Sequence, residues 1–409
     1  MKADLDRLME ERGIDALLTL PGENQDPCRV YLANGVDFSG MAIKRQGGSL
    51  ALIANSMERD EAAKSGLPVY TYDDFGLTEL QREYGMDQDK AQVAWYRRIF
   101  ERLGISGKIG VYGRGDINSA YRLLLMLSRE LGDVIEFVTE PERRTIFDSA
   151  FETKDADELA KLRDVARRTS AVMRAARAWI ASHRAGDGVV VNVDGVPLTI
   201  GAVKRYVRMQ LFEQDLEDPE GMIFAQGRDA GVPHSKGDAD APLRLGQTIV
   251  FDLFPRAPGG YFHDMTRTWC IGHASPEAQA AYDAVMEAFE RSVEMCKVGT
   301  PTTAVQRMVC DYFEDAGHPT VLNTPGTQEG YVHSLAHGLG LNVHEAPYFP
   351  TYAERYQLQP GNVFTIEPGL YYPERGYGVR VEDTVCLTDD GTLETLTDCP
   401  YDLVIELKG

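Results

Sequence analysis

Residues 248–268 read TIVFDLFPRAPGGYFHDMTRT. The run Thr248–Leu253 has the composition of a buried strand but carries an acid, Asp252. Gly260–Thr268 reads as the strand returning beside it, with Asp264 inside it, and the Pro- and Gly-rich residues between them supply the turn. Two acids on paired strands can face the same ion, one chelating it and one bridging to a second. A single Asp beside a turn is ordinarily a solvated surface residue. Asp252 argues against that reading, because an unpaired charge inside an apolar strand is costly to bury.

Three motifs further along the chain carry similar chemistry: HGLGLNVHE at 337–345, FTIEPG at 364–369 and VRVEDT at 379–384. They add His337, Glu367 and Glu382. One imidazole with four carboxylates suits hard or borderline divalent ions, not a thiolate-bound structural zinc. Two such ions would offset the mutual repulsion of four acids and activate a water near neutral pH. His333 and His337 imitate half of a zincin H-E-x-x-H helix, but Ser334 stands where the Glu belongs, which argues against that site. Gly338 and Gly340 permit close backbone approach. Val379–Val385 alternates as one strand, placing Arg380, Glu382 and Thr384 on one face.

The whole chain of 409 residues is long enough for two domains, and its net charge of -21 argues against a phosphate-tracking nucleic-acid binder. No stretch of about 18 apolar residues marks a membrane span, and the charged N-terminal helix pattern lacks a signal peptide's apolar centre, so a cytoplasmic location is expected. The six cysteines are scattered without a C-x-x-C and read as buried thiols. Residues 1–140 alternate strands (from Ala16, Ser49, Lys108 and Val134) with helices (from Met57 and Ser119), an α/β pattern. The glycines at 110, 113 and 115 follow a strand but miss the G-x-G-x-x-G spacing, so they read as a turn. Residues 139–156 are polar and read as a linker. Helical stripes follow from Asp155, Ile200, Pro276 and Thr303, and Asp390-Gly391 marks a hairpin.

The order Asp, Asp, His, Glu, Glu with these flanks, together with PHSKGD at 233–238, resembles the pita-bread metallopeptidases. Their proline-directed branch comprises Xaa-Pro dipeptidases (prolidases) and Xaa-Pro aminopeptidases. The resemblance implies an α/β (α+β) chain with a creatinase-like N-terminal domain (1–145) and a pita-bread catalytic domain (155–409). It implies two divalent ions, Mn²⁺ first and Co²⁺ or Zn²⁺ as alternatives. Asp252 would chelate one ion, Asp264 and Glu382 would bridge both, and His337 and Glu367 would bind the other. Glu367 would double as general base, His344 and His234 would assist at the scissile bond, and Arg380 would orient the acids. A homodimer and a proline-containing di- or oligopeptide substrate are implied as well.

Two departures from the family pattern stand out. Eleven residues separate Asp252 from Asp264 where the family commonly has ten, to be accommodated by a longer hairpin or a bulge. Tyr348 occupies a position where some prolidases carry an Arg for the substrate carboxylate, leaving Arg355, Arg375 or Arg380 as substitutes. Non-peptidase chemistry on the same scaffold (C–S lysis, or hydrolysis of another amide or ester) and an inactive binding protein are the alternatives.

Overall fold

A computed structural model describes residues 4–22, 25–140, 144–353 and 355–408. The chain falls into two compact units, Met1–Ala150 and Phe151–Gly409. In the first, a six-stranded sheet runs in the order Val69–Thr71, Leu50–Ala54, Met41–Arg45, Ala16–Thr19, Gly107–Tyr112, Ile135–Val138. Ala16–Thr19 pairs parallel to Gly107–Tyr112 and antiparallel to Met41–Arg45, so the sheet is mixed. Leu18, Ile43, Ile53 and Ile109 meet Trp95, Ile99 and Phe100 of the helix Gln88–Leu103 in one core.

The polar segment 139–156 is more structured than a linker. Ile146–Phe151 is helical and buries Ile146, Phe147 and Ala150, apolar residues that a composition average hides. Residues 141–143 of that segment lie outside the described residues.

The second unit opens with the helix Ala156–Ala181. Asp155 and Glu158 form a reciprocal capping box at its start, satisfying two of the backbone N–H groups that any helix leaves orphaned. Val165, Val172 and Met173 on its inner face meet Phe224, Ile249, Phe251 and Trp269 of a four-stranded sheet. That sheet runs Val404–Ile405, Met265–Ile271, Thr248–Leu253, Ile223–Gln226. A five-stranded sheet runs Glu345–Tyr348, His337–Gly338, Val363–Ile366, Asp383–Leu387, Leu393–Thr395. The helices Pro276–Met295 and Thr302–Asp315 cover a second core containing Phe364, Ile366 and Val385. The Asp390-Gly391 turn joins two paired strands, with Leu387 opposite Leu393.

Val379–Val385 is not one strand. Tyr377–Arg380 pairs with Gly369–Tyr372, and Asp383–Leu387 belongs to the five-stranded sheet. The chain changes sheets at Val381-Glu382, and Glu382 bridges instead to Thr266. Every residue from Gly378 to Leu387 is buried, so two-fold alternation of burial could not have marked the break. Among the described residues no helix is long and apolar enough to cross a membrane. The six cysteines are free, five of them buried.

Candidate metal centre

Alternation aims the two aspartates. Ile249, Phe251 and Leu253 enter the core beneath the four-stranded sheet, as do Met265 and Trp269, which leaves Asp252, Asp264 and Thr266 on the opposite face. Asp252 lies directly across from Thr266. The register continues unbroken through Arg256 opposite Phe262 to the hydrogen bond from Ala257 N to Tyr261 O. The extra residue of this hairpin therefore sits in its tip, Pro258-Gly259-Gly260, and not in a bulge. Both tip glycines have positive φ (91° and 92°), a conformation that suits Gly.

All eight residues singled out from the sequence line one cavity of about 530 Å³: His234, Asp252, Asp264, His337, His344, Glu367, Arg380 and Glu382. Within it, one ligand atom each from Asp264, His337 and Glu382 lies within 4.8 Å of the others. Glu367 Oε1 is 3.2 Å from His337 Nε2. Asp252 is held from the other side, where its Oδ2 accepts from Arg380 Nη2 at 2.6 Å. Arg380 and Glu382 are thus buried, with the Thr266 hydroxyl bonded to both, and do not form an i,i+2 surface pair. His234 is exposed, and the His344 ring packs 4.3 Å from that of His337.

Burial pushes the Asp264 carboxyl well above the ordinary carboxylate range, and the Glu382 and Asp252 charges push it further. Glu382 is raised in the same way by burial and by Glu367 and Asp252. Burial would raise Glu367 too, but the His337 imidazole against it prevails and brings it down to about 2. Burial opposes the His337 cation, and Glu367 outweighs it to raise that group. Burial and the neighbouring His337 lower His344 to about 4, so it is a neutral imidazole near pH 7.

This donor set fits divalent cations. Among the described residues no N–H or O–H group donates to the buried Asp252 Oδ1 or Asp264 Oδ1, and two carboxyls are held in a site where anions repel one another. A cation relieves both conditions.

Several supporting residues were not foreseen. Thr266 Oγ1 donates to Glu382 Oε2 (2.7 Å) and accepts from Arg380 Nε (3.1 Å). Thr268 Oγ1 exchanges hydrogen bonds with the Arg380 backbone. Arg267 pairs with Asp383 and donates to the Glu382 carbonyl at 2.9 Å. Tyr371 OH accepts from Arg380 Nη1 at 2.8 Å and meets His333 Nε2 at 2.8 Å. The alternation of DMTRT could have placed Thr266 and Thr268 on the face of Asp264. Nothing local marks Tyr371.

The profile of metallopeptidase family M24 matches residues 160–389, more than half of the chain. The chain belongs to that family. It is 34% identical over 184 residues to the probable dipeptidase PepE of Mycobacterium bovis, covering 45% of this chain and 46% of that protein. It is 34% identical over 169 residues to the Xaa-Pro dipeptidase of Pyrococcus furiosus, covering 41% of this chain and 45% of that one. The chain thus spans about half the length of these curated relatives. The solved structure of an Xaa-Pro dipeptidase from Bacillus anthracis superposes with a TM-score of 0.75 at 22% identity, covering 98% of this chain and 99% of that one. The fold of this M24 chain is the mixed α/β, pita-bread class expected from its sequence.

Proposed function

We propose that this M24 metallopeptidase hydrolyses the bond between an N-terminal residue and a following proline, acting on Xaa-Pro dipeptides or short Xaa-Pro peptides. The observation that carries the reading is the convergence of Asp264, His337 and Glu382, with Glu367, Asp252 and His344, on one cavity. The relatives named Xaa-Pro dipeptidase support the substrate class. Two divalent ions are assigned to Asp252, Asp264, His337, Glu367 and Glu382, with Mn²⁺ favoured by the oxygen-rich set. We also assign residues 1–145 to a creatinase-like domain and 155–409 to the catalytic one.

Bound cations would polarise the scissile carbonyl and lower the pKa of a water. The protein's own groups do the rest. Glu367, anionic and within 3.2 Å of His337, receives the proton of the attacking water and passes it to the departing imide nitrogen. Neutral His344 donates a hydrogen bond to the carbonyl oxygen as negative charge builds there. His234, on the exposed rim, guides the leaving nitrogen. Arg380 and Thr266 hold Asp252 and Glu382 in place.

The test is release of the N-terminal alanine from Ala-Pro, Ala-Pro-Ala and an Ala-Ala control, with Mn²⁺, Co²⁺ or Zn²⁺ added to metal-stripped protein. Metal-dependent cleavage confined to the proline substrates supports the reading. No release from either proline peptide under any metal refutes it and leaves the non-peptidase alternative.

A further inference from the structure

We propose that Lys236 receives the free C-terminal carboxylate of the substrate and so makes dipeptides the preferred class. The inference rests on the peptidase reading above and narrows it.

A dipeptide brings a carboxylate into a cavity lined by Asp252, Asp264, Glu367, Glu382 and Glu220. A cation holds that carboxylate most strongly against the surrounding acids. Besides the histidines, the cationic side chains lining the cavity among the described residues are Arg380 and Lys236. Arg380 is 3% exposed, and all three of its side-chain nitrogens are engaged, by Thr266, by Tyr371 and Pro233, and by Asp252. Turning it to a substrate would disturb the contacts that hold Asp252 and Tyr371. Arg355 and Arg375 do not line the cavity, and Arg375 instead lies over the Tyr372 ring at 4.4 Å. Tyr348 lines the wall and offers only a neutral hydroxyl.

Lys236 differs on each count. It is exposed, and its Nζ donates to the Glu220 carbonyl oxygen at 2.6 Å. Among the described residues it forms no ion pair with a carboxylate, so an ammonium with three donors retains capacity for one. Its backbone is anchored, since its carbonyl oxygen accepts from Lys204 Nζ. Gly237 beside it has φ 73° and packs against the backbone of Phe224, where a Cβ would not fit.

Position supplies the remaining argument. Lys236 follows His234 by two residues on one loop. In an Xaa-Pro dipeptide the carboxylate is borne on the carbon bonded to the imide nitrogen. With His234 at that nitrogen, Lys236, on the same loop and lining the same cavity, is placed to reach the carboxylate. A longer peptide places an amide there and forgoes the ionic contact.

The experiment compares wild type, Lys236→Met and Lys236→Arg, each loaded with Mn²⁺, on Ala-Pro, Ala-Pro-amide and Ala-Pro-Ala. Wild type should favour the acid over the amide. Lys236→Met should raise KM for Ala-Pro by about 10- to 100-fold, the range of one charge-assisted hydrogen bond, and shrink the acid-over-amide preference towards unity. Lys236→Arg should restore most of that preference, which loss of folding could not explain. Equal losses on acid and amide, or a wild type indifferent to the carboxylate, overturn the role of Lys236 while leaving the peptidase reading intact. A wild type that cleaves none of the three peptides overturns both.

Discussion

Lys154 and Glu345 form an ion pair at 2.6 Å with both side chains only 2% exposed, and Glu345 directly follows His344. The second Glu345 oxygen accepts from Asn342 N and Nδ2 at 3.2 and 3.3 Å, which closes the turn presenting His344. Gly340 faces this pair, and a Cβ there would strike Glu345 and Lys154. Replacing Lys154 by Met strands a buried carboxylate and should cost ~3–5 kcal/mol of stability. Burial already raises the Glu345 pKa, with Lys154 opposing the rise, so removing Lys154 raises it further. A carboxyl whose pKa is higher folded than unfolded stabilises at low pH and loses that contribution as pH rises through the folded value. The deficit of Lys154→Met against wild type should therefore be smallest near the ordinary carboxylate range and grow above it, by at most ~1.4 kcal/mol per pH unit. The assay is urea unfolding of wild type, Lys154→Met and Lys154→Met/Glu345→Gln at pH 6 and pH 8, with kcat measured alongside. The double variant should recover most of the loss, because a neutral amide keeps the Asn342 contacts without a buried charge. A deficit below about 1 kcal/mol at pH 8, or a double variant no more stable than the single, would refute the reasoning.

Glu367→Gln should keep the fold, weaken metal binding and abolish measurable turnover; near-wild-type kcat would remove its role as base. His344→Ala should lower kcat by ~10²–10⁴-fold with metal content unchanged by mass spectrometry, whereas loss of metal would make it a ligand. In metal-stripped protein, Asp264 and Glu382 hold protons that the unfolded chain releases, so stability should fall as pH rises above the ordinary carboxylate range. Added Mn²⁺ should accordingly raise the melting temperature more at pH 8 than at pH 6, and equal shifts at both would contradict the assigned protonation.

The site was more legible than its supports. Asp252, Asp264, His337, Glu367 and Glu382 stood out because each is an acid or imidazole set among apolar or glycine-rich neighbours. The helix from Asp155 was legible because its stripe and its cap agree. The break at Val381-Glu382 was not, since both flanking strands are buried on both faces and the exchange of partners is a tertiary event. The face of Thr266 and Thr268 was within reach of the alternation of DMTRT, but their partners, like those of Arg267 and Tyr371, come from elements far apart in the chain, which no local pattern encodes. The helix Ile146–Phe151 escaped notice because a few apolar residues sit in a polar run.

Hydrolysis of Ala-Pro, followed while Mn²⁺ is titrated into metal-stripped protein, tests the central claim most directly. The account predicts no turnover without metal and a rate that saturates at about two equivalents per chain. Turnover that persists without metal, or none at any loading, would contradict it.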